Sequence, residues 1–257
     1  METTLQKYHD ENGNSIAYSG EELAGVKVVF LGKNNTLIVS DITRIKKATI
    51  SFDCNNATCS IGNSTFTGFV RLGEDCEVVI ADKVTTAGHC YISTAEGSKV
   101  HIGEDSMIAK GVELRSDDAH AFFDVNTDNR LNPCQNITIG EHVWIGAFSS
   151  LLGGADVGQG SIIGYRSLLK NKISNNVLAV GHPARVIKKD IAWERPHLTQ
   201  SPPFYKPEVL KKSKYWNRTK SGVVASRESL EPVEFIGFLS RLKASLTIMI
   251  SGRTKFK

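Results

Sequence analysis

The 257 residues predict an all-β chain wound as a parallel solenoid. Three observations carry this. An aliphatic residue recurs every six positions through 139–169, as Ile139, Ile145, Leu151, Val157, Ile163 and Leu169. The fifth positions of the same hexapeptides are Val143, Ser149, Ala155, Ser161, Ser167 and Ile173, and four of these six are small. One phrase returns in near copies: "VRLGED" at 70–75, "VHIGED" at 100–105 and "ITIGEH" at 137–142. In an extended chain, residues two apart share a face. The fifth residue and the next first residue therefore both point inward, one small and one large, and a turn follows. A helix does not repeat in six, and the turns of a β-sandwich do not keep a six-residue phase.

The elements follow in chain order. Residues 1–25 precede the array and contain no apolar core of the length a secretory signal needs. The array begins near residue 26, where "VVFLGKN" (28–34) and later "CSIGNS" (59–64) show an apolar-x-apolar-Gly step. A clearer six-residue run follows: Leu72, Val78, Val84, Cys90, Glu96, Ile102, Ile108 and Leu114. The segment 115–136 is polar, contains Pro133 and cannot continue an inner face, so it is predicted to leave the solenoid as a loop. The run from Ile139 resumes one residue out of phase, and the array is predicted to close by 195. From 196 the prolines of "LTQSPPFYKP" mark a linker into a basic extension, 196–257. Within it Phe235, Leu239, Leu242, Leu246 and Met249 predict an amphipathic helix.

Composition excludes several classes. No apolar run is long enough to cross a bilayer, so no spanning helix is predicted. Cys54, Cys59, Cys76, Cys90 and Cys134 are odd in number and lack zinc-type spacing. They read as reduced thiols of a cytoplasmic protein with no metal site. The net charge of +4 is uneven: residues 198–257 hold 12 Lys or Arg against 4 Asp or Glu, so the body is mildly acidic. The basic helix is expected either to pack on protein or to touch an anionic membrane surface peripherally, at its inner face. No nucleic-acid partner is expected.

Two residues stand out within the pattern. His120 falls in the loop, where the next inward position of the upstream run would lie. Imidazole is the side chain best poised to take a proton near neutral pH. Asp117, Asp118 or a backbone carbonyl are candidates to orient it. His101 and His142, by contrast, occupy outward positions of repeats. Trp144 holds the sixth, outward position of its hexapeptide and presents an indole donor and a flat ring.

The stretch "ITIGEHVWIGAFSSLLGGADVGQGSIIGYRSLLKNKISNNVLAVGHPARVIKK" resembles the C-terminal coils of the hexapeptide-repeat acyltransferases. "LRSDDAHAFFDVNTDNRLNP" followed by "ITIGEHVWIGA" is similar to a bacterial subgroup that O-acetylates surface polysaccharides. The resemblance implies a left-handed parallel β-helix over 26–195, a homotrimer with sites between subunits, and acetyl-CoA as donor. It implies His120 as base and Trp144 at the active site. Gly146, Ala147 and Gly164 leave room beside the coenzyme arm, and Tyr165 stands where the family keeps a small residue. Lys170, Lys172 and Arg185 occupy the positions of its phosphate-binding cations. The implied acceptor is a hydroxyl of a capsular or lipopolysaccharide sugar, sialic acid included, with Arg115, Asp117 and Arg130 as candidates to bind it. O-acetylation of a small sugar or an amino acid, and a non-catalytic scaffold, are the competing readings.

Overall fold

The computed structural model describes residues 1–202, 204 and 211–220. Short strands wind through three sheets in rotation, giving a parallel β-solenoid of about seven turns. Each face contributes an inward column. The first runs Ile50, Val70, Ile92, Leu114, Leu151, Leu169. The second runs Ile61, Ile80, Ile102, Ile139, Val157, Ile173. The third passes through Ile108, Ile145, Ile163 and Ala179. All of these side chains are buried, and parallel pairing sets one above the next. Both open ends of the stack are covered by antiparallel strands, Glu2–Leu5 at one end and Ala184–Lys188 at the other, which blunts the unpaired edges.

The small fifth positions sit at the corners. Ser149, Ser161 and Ser167 are at most 1% exposed. Ser149 Oγ donates to the Gly164 carbonyl at 2.8 Å and Ser161 Oγ to the Ser174 carbonyl at 2.9 Å. A small hydroxyl both fits the corner and satisfies a turn carbonyl that no strand can reach.

The six-residue period holds only in part. Ile139 pairs with Val157, Ile145 with Ile163 and Leu151 with Leu169, so each of these coils is three hexapeptides long. Upstream the coils are longer than three hexapeptides: Val70 pairs with Ile92, and Ile80 with Ile102. Val84 and Cys90 are buried, but Ile92 rather than Cys90 occupies the column, and Glu96 sits on an outer turn with φ of +55°. The position of His120 in an upstream six-residue phase is therefore not an inward one. His120 is exposed. Parallel pairing also begins earlier than residue 26, with Ser15–Ala17 on Thr36–Ile38.

The chain after the solenoid returns to it. Residues 191–195 run along the edge between the second and third faces. Asn176 Nδ2 donates to the carbonyls of Ile191 and Tyr215, at 3.0 and 2.8 Å. Trp193 Nε1 donates to the His142 carbonyl at 2.9 Å. Arg195 reaches coils further down the stack, with Nε 2.5 Å from Asp105 Oδ1 and Nη1 2.9 Å from Thr85 Oγ1. The extension expected to depart at 196 thus sends residues 213–219 back onto the coils. The helix expected over 235–249 lies outside the described residues. Among the described residues no helix is long and apolar enough to cross a membrane.

Candidate active site

A triangular coil has three edges, and the predicted site residues divide between them. The loop edge lies between the first and second faces, where 116–136 leaves after the strand Glu113–Arg115 and rejoins at Ile137–Ile139. The groove edge lies between the third and first faces, where Gly146–Ser149 and Gly164–Ser167 turn. The strap edge, between the second and third faces, is the one that 191–195 covers.

At the loop edge, the loop is folded on itself. Asn132 Nδ2 donates to the His120 carbonyl at 2.8 Å and to Asp118 Oδ2 at 3.1 Å. Phe123 bridges Arg130, and Arg130 Nη1 lies 2.6 Å from Glu96 Oε1. Asp117 is 6% exposed: Ser93 Oγ donates to its Oδ2 at 2.6 Å and the Ala119 N–H to its Oδ1 at 3.0 Å. Its carboxylate ties the loop base to the coil and faces neither His120 nor solvent. Asp118 is likewise engaged by Asn132, and neither carboxylate is hydrogen-bonded to the His120 ring. The guanidinium of Arg115 lies 5.4 Å over the Tyr91 ring, beside Glu113 at 3.8 Å. Lys170 is exposed at this same edge, and Lys172 follows on the second face, 3.6 Å from Asp156. The loop also exposes Phe122, Phe123, Val125 and Leu131.

At the groove edge stand Gly146, Ala147, Gly164 and Tyr165, with Arg185 on the capping strand beside Val180. The space the glycines leave is used by the chain. A Cβ on Gly146 would lie 2.7 Å from the Tyr165 nitrogen, and one on Gly164 would lie 2.4 Å from Val180 Cγ1. Their lack of a side chain lets successive coils stack. Tyr165 is exposed and meets Phe148 edge-on at 5.9 Å, with the Arg166 guanidinium 5.4 Å over the tyrosine and 5.7 Å over the phenylalanine. Sequence reading missed Phe148 and Arg166. Their positive φ angles, +59° and +53°, mark them as corner residues that project outward.

Trp144 lies on the third face, two residues before Gly146 and so roughly 7 Å from it along the strand. It is outward, as expected, with 37% exposure. Its ring tilts 49° against Trp193 at 6.0 Å. Within one chain His120 does not join this group. The first face separates the loop edge from the groove edge by about six residues of extended chain, or roughly 20 Å.

His142 departs furthest from expectation. It points outward from its repeat but is 2% exposed, because Trp193 and Tyr215 sandwich its ring at 4.0 and 4.4 Å. Its ring nitrogens face Asp105 Oδ2 at 2.6 Å and the Trp193 carbonyl at 3.0 Å. This histidine is structural.

Over 186 residues the chain is 31% identical to the polysialic acid O-acetyltransferase of Neisseria meningitidis, covering 71% of this chain and 86% of that protein. The chain belongs to the hexapeptide-repeat acetyltransferases. The family model for the bacterial transferase hexapeptide (six repeats) matches residues 136–171 of this acetyltransferase, the coils where the three-hexapeptide period is strict. A polysialic acid O-acetyltransferase of Escherichia coli O1:K1 / APEC is 34% identical over 133 residues, 52% of this chain and 43% of that one. The solved structure of the polySia-specific acetyltransferase NeuO superposes with a TM-score of 0.66 at 31% identity, covering 77% of this chain and 88% of that chain. The solenoid is the left-handed β-helix of this family, and the protein is an acyltransferase.

Proposed function

We propose that this acyltransferase moves the acetyl group of acetyl-CoA to a hydroxyl of an acidic bacterial surface polysaccharide, in sites formed between the subunits of a homotrimer. One observation carries the reading. The candidate base stands on the loop edge, whereas the exposed tryptophan stands on the third face and the aromatic corner on the groove edge, the corner about 20 Å away in the same chain. Three triangular prisms around a threefold axis bring the loop edge of one copy beside the groove edge of the next. The apolar side chains that the loop exposes suit burial against such a neighbour.

In this arrangement the His120 imidazole takes the proton of the acceptor hydroxyl while its oxygen attacks the thioester carbonyl carbon. The carbonyl oxygen becomes an oxyanion, and the indole N–H of Trp144 is placed to donate to it. The C–S bond then breaks, and the thiolate leaves with the proton held by the imidazolium. Lys170 on the loop edge, Lys172 on the second face and Arg185 on the groove edge supply cations for the coenzyme phosphates. Arg115 and Arg130 add positive charge beside His120, which suits a carboxylated sugar. The two relatives named for polysialic acid support this acceptor class.

The test is an acceptor screen with free thiol release as the readout. Sialylated oligosaccharides are expected to stimulate thiol release from acetyl-CoA, and neutral ones much less. Stimulation by a free small sugar or serine alone would replace the polysaccharide reading, and no stimulation by any acceptor would support a scaffold. The assembly is checked separately: sedimentation is expected to show a trimer at micromolar concentration, and a monomer would defeat the shared site.

A further inference from the structure

We propose that the ridge formed by residues 211–220 is a second, non-catalytic contact for a long anionic glycan chain. The proposal rests on the acidic-polysaccharide reading above and extends it to a surface away from the loop and groove edges.

The ridge is built and held. Tyr215 is buried against His142 and anchors it to the solenoid. Asn175 Nδ2 donates to the Arg218 carbonyl at 3.0 Å, and the Lys220 N–H donates to Asn175 Oδ1 at 3.0 Å. Thr219 donates its hydroxyl to the Asn176 carbonyl at 3.1 Å and its N–H to Asp190 at 2.7 Å. Backbone fixed in this way pays no ordering cost when a ligand arrives.

Its outer side is cationic and carries one flat ring. Lys189, Lys212, Arg218 and Lys220 are exposed along it, and Lys214, also exposed, lies 3.7 Å from Glu141. Trp216 is 46% exposed, and its Nε1 donates to Glu194 Oε1 at 2.6 Å, so the ring is pinned by its polar tip and remains partly exposed. Lys212 Nζ lies 4.8 Å from the centre of that ring. A pyranose offers a C–H face that lies flat on an aromatic ring, and a carboxylated polymer offers a repeating negative charge. The ridge matches both features at once. A bilayer surface fits less well on apolar grounds, since insertion needs several exposed apolar side chains. Trp216 is the one large apolar side chain exposed among the described residues of 211–220.

The ridge packs on His142, Asn175, Asn176 and Glu194, and none of these contacts is with His120 or Trp144. It should therefore act on affinity for long acceptors. The experiment compares the full chain with Lys212→Gln/Trp216→Ala/Lys220→Gln. Lys212→Gln/Lys220→Gln, which keeps the pinned ring, serves as a second variant should the first fold poorly. Probes are a long sialic acid polymer, a short sialyl oligosaccharide, neutral dextran and phosphatidylglycerol vesicles. The wild-type chain is expected to bind the long polymer directly, less tightly as salt rises. The variants are expected to bind it about tenfold more weakly. Their KM for the long acceptor should rise to match, with kcat and the kinetics on the short oligosaccharide unchanged. Equal polymer binding by variant and wild type overturns the proposal. So does binding to the vesicles in place of the polymer. Failure of the transferase reading is separate: it appears as no thiol release with any glycan, and direct binding still decides the ridge.

Discussion

His120→Ala is expected to lower acetyl transfer by roughly 10²–10⁴-fold while acetyl-CoA binds as before. The magnitude is that of losing a general base. The donor should still bind because the groove-edge residues and the cations are untouched. The loop should survive the change, since Asn132 holds the His120 carbonyl and not its side chain. Asp117 remains under Ser93 and Ala119 in either case. Binding measured by calorimetry and turnover measured by thiol release separate the two effects. An alanine variant that keeps most of its turnover would remove His120 from the reaction. One that loses donor binding as well would show that the loop edge holds the coenzyme more than it activates the acceptor.

Trp193→Ala should cost about 3–5 kcal/mol of stability, the usual loss for a large buried aromatic side chain. Trp193 is 7% exposed and stacks on His142 at 4.0 Å. Its indole N–H also satisfies the His142 carbonyl, which the substitution would leave without that donor. The neighbouring ion pair of Arg195 with Asp105 depends on the same segment staying against the coils. A fall in melting temperature of roughly 10 °C is expected. Trp216→Ala, on the exposed ridge, should change it little. Melting curves that coincide for Trp193→Ala and wild type would show that the returning segment adds nothing to the solenoid. Because Trp193 touches Trp144, a rise in KM or a fall in kcat in the surviving folded fraction would also report on how firmly Trp144 is held.

The sequence by itself determined the inward face of the later coils. From Ile139 to Leu169 each coil is three hexapeptides long, so local alternation and the column position coincide, and both aliphatic and serine positions are legible. It also determined that 115–136 leaves the array, because a polar segment cannot line an apolar column. Upstream the seven apolar positions of the run are buried, and Glu96 alone falls on an outer turn, but the six-residue count does not give the coil length. Coils there are longer than three hexapeptides, and pairing with the next coil, not the count along the chain, sets Ile92 above Val70 while Cys90 lies above Gly68. The tertiary structure alone decided the fate of His142. Its repeat points it outward, but Trp193, far along the chain, covers it, and no local period encodes that contact. It showed why Gly146 and Gly164 tolerate no side chain, since the atoms one would strike belong to coils further along the chain. It also decided that the base candidate and the aromatic corner stand on different edges. A sequence lists them within one stretch, 120–165, whereas a triangular coil turns them to face different directions, because each corner redirects the chain after only a few residues.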